Sequence, residues 1–173
     1  MKTGSVFILI ILSFIGFSFN QKTIQNEEEF KDVLVNGVVF RWKIKNNEMV
    51  CELKAPTSGW VSAGFKSTSG IVQSNLIMGS FDNGIATCED HTVIDVNNHV
   101  PVEDLGGSNA LNACDVIESD GYTQIFFSLP ATAYDGYHYN FEKGEEMFVT
   151  LSYSKNDDFI SHPVRRVQIR ILL

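Results

Sequence analysis

The feature that most constrains this chain is strict alternation. From Val38 onward, short runs place an apolar side chain at every second position, and turn-forming residues interrupt them at about ten-residue intervals. In Val38–Lys45 the residues Phe40, Trp42 and Ile44 share one face. Asn46-Asn47 turns the chain, after which Met49, Cys51 and Leu53 alternate. Pro56-Thr57-Ser58-Gly59 breaks the pattern again, 60–65 is a short apolar strand, and a Gly/Ser-rich loop covers 66–74. The next strand is predicted at 76–81 and is closed by Asp82-Asn83-Gly84. A strand sends successive side chains to opposite faces, so each run offers one apolar face to a core and one polar face to water.

The stretch 86–112 is less regular, holds His91, His99 and Gly106-Gly107, and reads as a strand or two inside a long excursion. Regularity returns with 116–118, the corner Ser119-Asp120-Gly121 and 122–127, a hairpin with an Asp-Gly turn. Residues 130–144 read as loop, 147–153 as a strand, Lys155-Asn156-Asp157-Asp158 as a turn and 164–172 as a last strand. The polar, acidic stretch 19–36 reads as a lead-in with at most a short helix over 27–34, and its Glu27-Glu28-Glu29 cluster as a solvated segment. With no convincing amphipathic helix and no repeat, the pattern predicts an all-β chain, an immunoglobulin-like antiparallel β-sandwich of about 8–10 strands.

The N-terminus carries a different signal. Lys2 precedes an apolar run over 6–17 that only Ser13 interrupts, and the small residues Gly16 and Ser18 sit two apart, as a signal peptidase requires. The run is shorter than the roughly 20 residues of a comfortable membrane span. Residues 1–18 are therefore expected to be a signal peptide, or an uncleaved signal anchor, and 37–173 a single domain. The expected location is extracellular or lumenal.

A net charge of −8 disfavours nucleic acid and anionic membrane surfaces. The chain has three cysteines. In an oxidising compartment, Cys88 and Cys114, which flank a loop-rich stretch, are the expected disulfide, and Cys51, on the apolar face of its strand, the expected buried free thiol. No Cys/His spacing suits zinc, and GxSxG, HExxH and phosphate-cradling glycine motifs are absent. Asp157 and Asp158 are neighbours whose side chains point apart, which suits a solvated turn better than acid–base work. An independent enzyme is the least expected class.

Three segments together resemble the core of the DOMON domain: Phe40-Arg41-Trp42 with Ile44, Gly59-Trp60-Val61-Ser62-Ala63-Gly64-Phe65, and Ser74-Asn75-Leu76-Ile77-Met78-Gly79. The hairpin Glu118-Ser119-Asp120-Gly121-Tyr122-Thr123-Gln124-Ile125-Phe126-Phe127 and the later Asp135 are similar to that family, as is the closing segment in which His162 precedes an Arg-rich strand. The resemblance spans 38–172. It implies a β-sandwich that holds either haem b or a sugar-like ligand, with one Met and one His as axial ligands in the haem-bearing members. His162 stands at the position of that His. The Met would fall near Ile71 or Val72, neither of which ligates iron. Asn75 replaces a common acidic residue, and Ser128 and Leu129 stand where an Arg often follows the hairpin strand. Met78 is the nearest thioether, with core packing as its plainer role. His91 and His138 are further imidazoles without a supporting spacing.

Two functions follow from this reading. One is a haem b electron-transfer module with His162 as axial ligand and a redox partner. The other is a non-redox module, either binding carbohydrate through the aromatic residues Tyr122, Tyr134, Tyr137, Tyr139 and Phe141 near Asp135, or serving as an accessory subunit of a membrane assembly.

Overall fold

A computed structural model describes residues 29–173. The expected signal segment and most of the lead-in lie outside the described residues. Among the described residues, eleven antiparallel strands form two sheets. The five-stranded sheet has the order β1-β2-β3-β9-β8, from Lys31–Val35, Val38–Lys45, Glu48–Ala55, Tyr122–Pro130 and Ala113–Ser119. The six-stranded sheet has the order β11-β10-β4-β5-β6-β7, from Arg165–Leu172, Glu146–Tyr153, Val61–Lys66, Asn75–Asp82, Ile85–Asp95 and Asn98–Pro101. The expected β-sandwich is the fold observed.

Turn chemistry sets the hairpins. Asn36-Gly37, Asn46-Asn47, Asn83-Gly84 and Asp120-Gly121 all place two successive residues at positive φ, between 50° and 82°. Two left-handed residues make the turn whose twist matches the flanking strands, and Asn, Asp and Gly tolerate it best. The first of these turns corrects the reading of the lead-in. Residues 31–35 are strand β1, paired with β2 from Lys31↔Trp42 to Val35↔Val38, and not part of a helix. The Glu-rich composition looked helical, but Asn36-Gly37 folds the segment back as an edge strand. β1 also carries the strand count past the eight to ten expected.

The inter-sheet core follows the alternation. Phe40, Met49, Leu53, Phe65, Ile77, Ile125, Val149 and Leu151 have no exposed surface, and each such side chain contributes about 1.5–3 kcal/mol by leaving water. Phe65 packs edge-on to Phe127 and Phe141. Cys51 is the buried free thiol, its pKa raised by burial. Gly79 lets the sheets approach closely, because a Cβ there would lie 2.6 Å from Ile125 Cδ1.

Cys88 on β6 and Cys114 on β8 form the expected disulfide, which ties one sheet to the other across 26 residues of sequence. Constraining a loop of that length in the unfolded chain is worth about 3.5 kcal/mol on the chain-entropy model. The double variant Cys88→Ser, Cys114→Ser should therefore lose about 3 kcal/mol in urea denaturation with the far-UV spectrum kept. A loss under about 1 kcal/mol would show that the bridge adds little beyond the core.

Candidate functional site

Sheet register sorts the polar residues of β6 between two faces. Glu89 lies opposite Met78 and His91 opposite Leu76, so these project outward. Asp90, opposite Ile77, projects inward with Cys88. The three consecutive residues Glu89, Asp90 and His91 therefore serve two separate networks.

On the outer face, Trp60, Leu76, Met78 and Val93 form a second apolar cluster, with Ile71 and Phe159 packed against it. The loop after β4 supplies Ile71 and the loop after β10 supplies Phe159. A cleft opens above this floor. Ile71, Trp60 and Met78 line it together with Val96, Asn98, His99, Ile160, His162 and Arg166. The structure thus brings together His162, Met78 and Ile71, which the sequence places far apart. Trp60 is fixed by its backbone, its N–H donating to Asn156 O at 3.0 Å and its carbonyl accepting from Ser154 N at 2.9 Å. Gly59 makes this approach possible, since a Cβ there would sit 2.5 Å from Asn156 N.

These residues fit a haem on one side only. The His162 ring makes no hydrogen bond among the described residues, its one such contact being its carbonyl, so an imidazole nitrogen is available as a ligand. Trp60 Nε1 is buried with no acceptor, leaving a donor in the floor that a bound group can satisfy. Opposite, Ile71 presents hydrocarbon. Met78 has no exposed surface and is packed into the floor. The set suits a haem carried on a single imidazole and does not suit one clamped between imidazole and thioether. The enclosed volume is ≈ 40 Å³, room for roughly three waters. Ile160, on the wall that 160–163 form, is 86% exposed.

Of the other imidazoles, His99 lines the cleft and His91 stands beside it. Their Nδ1 atoms face each other at 2.9 Å, and His91 Nε2 lies 2.6 Å from Glu89 Oε2. Only one of the two facing nitrogens can carry the proton between them. Burial first, and then His91, push the His99 pKa below its ordinary value of 6.5. Glu89, His91 and His99 also border an open acidic groove of ≈ 570 Å³ with Asp82, Asp157 and Asp158. Asp157 is only partly a solvated turn residue, as its Oδ1 is buried without a partner and burial raises its pKa.

His138 does not line the cleft. It is clamped between two carboxylates, with Nε2 2.9 Å from Asp90 Oδ2 and Nδ1 2.5 Å from Asp135 Oδ1. Asp90, whose side chain has no exposure, also accepts from Asn75 Nδ2 at 2.6 Å and from Ala110 N at 2.7 Å. This explains why an amide stands at position 75: a carboxylate there would face Asp90 with no proton between them. The sequence reading missed Asp90. Its one signal was a charge at an inward position of an otherwise buried strand. Burial acts to lower the His138 pKa, but Asp90 and Asp135 outweigh it and raise it. For Asp135, burial acts upward and is outweighed by the Tyr137 backbone N–H, His138 and the Ser108 N–H, so its pKa falls.

The aromatic residues make structural contacts and do not share one surface. Tyr134, Tyr137 and Tyr139 donate their hydroxyls to the carbonyls of Ser108, Leu105 and Gln73, and so stitch loops together. Phe141 belongs to the core. Tyr122 lies apart from them at the start of β9, under Lys54 Nζ at 4.6 Å.

The sign of the His138 effect follows from linkage. A raised folded pKa gives stability that is complete below the unfolded value near 6.5 and is lost as pH rises through the folded value. The thermal midpoint should fall as the pH rises above 6.5 and through the raised folded value, and His138→Gln should flatten that slope. Asp90→Ala, which strands a buried imidazolium, should cost about 3–5 kcal/mol. An unchanged pH slope in His138→Gln would remove the imidazole from this account.

Comparison with known proteins places this geometry. The family model for the DOMON domain matches residues 35–154. Among solved structures, the chain is similar to the cytochrome b domain of pyranose dehydrogenase from Coprinopsis cinerea, with a TM-score of 0.62 at 10% identity over 83% of this chain and 81% of that one. It is also similar to the cytochrome domain of Myriococcum thermophilum cellobiose dehydrogenase, with a TM-score of 0.56 at 9% identity over the same shares. At these identities the likeness establishes the fold alone. No curated protein matches the chain.

Proposed function

This chain belongs to the DOMON domain family, and we propose that it is an extracellular or lumenal electron-transfer module that carries haem b on His162 in the outer-face cleft. The observation that carries the reading is the convergence of a free imidazole, an orphaned indole N–H and an apolar floor at one cleft. The two structural neighbours are cytochrome domains of dehydrogenases, which supports a binding and redox role over catalysis, with a separate redox partner.

Bound there, haem would supply one-electron exchange. The chain's own residues do the rest. His162 holds the group through a ring nitrogen. Trp60 Nε1–H donates to an acceptor in the floor. Ile71, Leu76 and Val93 exclude water from the buried edge, and Arg166 at the rim pairs with acidic substituents.

The hydrocarbon at Ile71 and the ≈ 40 Å³ of enclosed space favour a second reading: a non-redox module whose cleft takes a smaller ligand such as a sugar, or an accessory subunit that holds no haem. The N-terminal segment bears on this choice. Cleavage gives a free module, and retention gives an anchored member of a membrane assembly.

Haem titration of the purified protein separates the readings. The first expects a Soret band with 1:1 saturation that His162→Ala abolishes, and Ile71→Met should shift the spectrum towards a six-coordinate form. Wild type without a saturable Soret change overturns the haem reading and leaves the non-redox one, which a glycan array then tests.

A further inference from the structure

Sheet register builds a row of polar side chains into the outer-face cleft. Arg166 of β11 pairs with Ser152 of β10, Ser152 with Ser62 of β4, and Ser62 with Met78 of β5. Residues directly opposite in a ladder share a face, with Cβ atoms about 4.5–5.5 Å apart. One arginine and two hydroxyls therefore stand side by side and end on the apolar floor. All four residues line the cleft.

Three features give this row a chemistry. Ser62 and Ser152 are 1% and 5% exposed, yet neither hydroxyl makes a hydrogen bond among the described residues. Buried hydroxyls normally have a partner. Arg166 lacks the carboxylate that other arginines of the chain take. Arg41 pairs with Glu52 at 2.7 Å and Arg170 with Glu146 at 3.3 Å, whereas Arg166 Nη1 donates only to Val96 O, at 3.3 Å. That bond carries the guanidinium from β11 towards the turn after β6. The strands that bear the serines lie between these two walls, so the guanidinium spans the cleft above the row, with the rest of its donors unspent. Finally, the enclosed ≈ 40 Å³, room for roughly three waters, is the size of one carboxylate group. Asp95 also lines the cleft, but it is exposed at the end of β6 and makes no ion pair with Arg166 among the described residues.

We propose that Arg166, Ser152 and Ser62 form a carboxylate-binding site. The hydroxyls donate to the carboxylate oxygens from the floor and the guanidinium donates from above. The hydroxyls set the position of the group, and the guanidinium selects for negative charge, because charge-assisted hydrogen bonds are about twice as strong as neutral ones. The carboxylate belongs to a free small acid or to the acidic arm of a larger ligand, haem among them. The site itself does not rest on the haem reading.

Trp60 lies two positions before Ser62 and lines the same cleft, so its indole N–H reports on the row in ¹⁵N-labelled, haem-free protein. The chain has two tryptophans; Trp42, in the inter-sheet core, is the internal control, and Trp60→Phe assigns the pair. Sodium acetate, exchanged for chloride at constant ionic strength, should move the Trp60 resonance saturably and leave that of Trp42 in place. The neutral isostere acetamide should bind at least about tenfold more weakly, as should acetate to Arg166→Gln, the size of one charge-assisted hydrogen bond lost. If Arg166→Gln alters the unliganded spectrum, Ser152→Ala gives the same comparison from the floor. Haem and its dimethyl ester separate the sources. With haem as the carrier, the ester should saturate the Soret change at least about tenfold more weakly than haem. Acetate binding with no Soret change, or with equal binding of the ester, leaves a free acid as the source and keeps the site. A Trp60 resonance that acetate does not move, equal binding of acetamide, or acetate binding unchanged in both variants would each overturn the proposal, whatever haem does.

Discussion

The structure depends on one constraint: β4 and β5 are buried on both faces. Every residue of 61–65 and of 75–80 is shielded from water. The inner face is covered by the five-stranded sheet. The outer face carries Leu76 and Met78 on a strand that antiparallel pairing alone cannot protect, so chain must be laid over it. An antiparallel sheet commonly leaves one face solvated; this one does not, and the loops after β4 and β10 are the cover. The cleft is what remains where those two loops fail to meet. His162 therefore lines an apolar floor because the loop that hides Met78 is the loop that bears it.

Loops that do this work have to be held, and three kinds of lock are used. The Trp60 backbone joins the strand entrance to 154–156 through hydrogen bonds in both directions. The disulfide fixes β6 to β8. Asp90 is the third lock: its buried carboxylate gathers Asn75 from β5, the Ala110 N–H from the long excursion and His138 from the loop before β10. A buried charge is costly unless fully paired, and here the pairing draws together three segments that share no strand contact. The same carboxylate is thus a cost to the core and the reason the loops have one arrangement.

Most of the strands were legible because alternation and turn chemistry agree, as at Asn46-Asn47 and Asp120-Gly121, where the turn residues also set the register. β1 was not legible. Its sequence, Lys-Asp-Val-Leu-Val, has three polar or exposed positions of five, which is what an edge strand shows, and local composition does not distinguish that from a frayed helix. The disulfide could be read because its two cysteines bracket one excursion. The candidate site was legible only in part. His162 was found through the resemblance, and Ile71 was noted as a missing thioether. That the two line one cleft with Trp60 is a matter of loop placement, which periodicity does not encode. The tyrosines show the same limit. Their crowding in sequence does not tell that the hydroxyls of Tyr134, Tyr137 and Tyr139 go to backbone carbonyls while Tyr122 lies apart.

Residues 88–91 read Cys-Glu-Asp-His, a run that contains four metal-ligating side chains in succession. The pleat decides what such a run can do. Successive side chains in a strand point to opposite faces, so Cys88 and Asp90 enter the sandwich while Glu89 and His91 leave it, and no two neighbours can converge on one ion. Each then takes a partner on its own side: Cys114 and His138 within, His99 without. A ligand that must be reached from outside, by a side chain free to approach along an axis, has to come from a loop instead. His162 meets that requirement, since it lies between β10 and β11, its ring has no competing partner among the described residues, and its loop, like the one that bears Ile71, is a wall of the cleft that no ladder holds in place. The strands of this fold provide the floor and the locks, and the capacity to engage a ligand is left to the segment that alternation cannot organise.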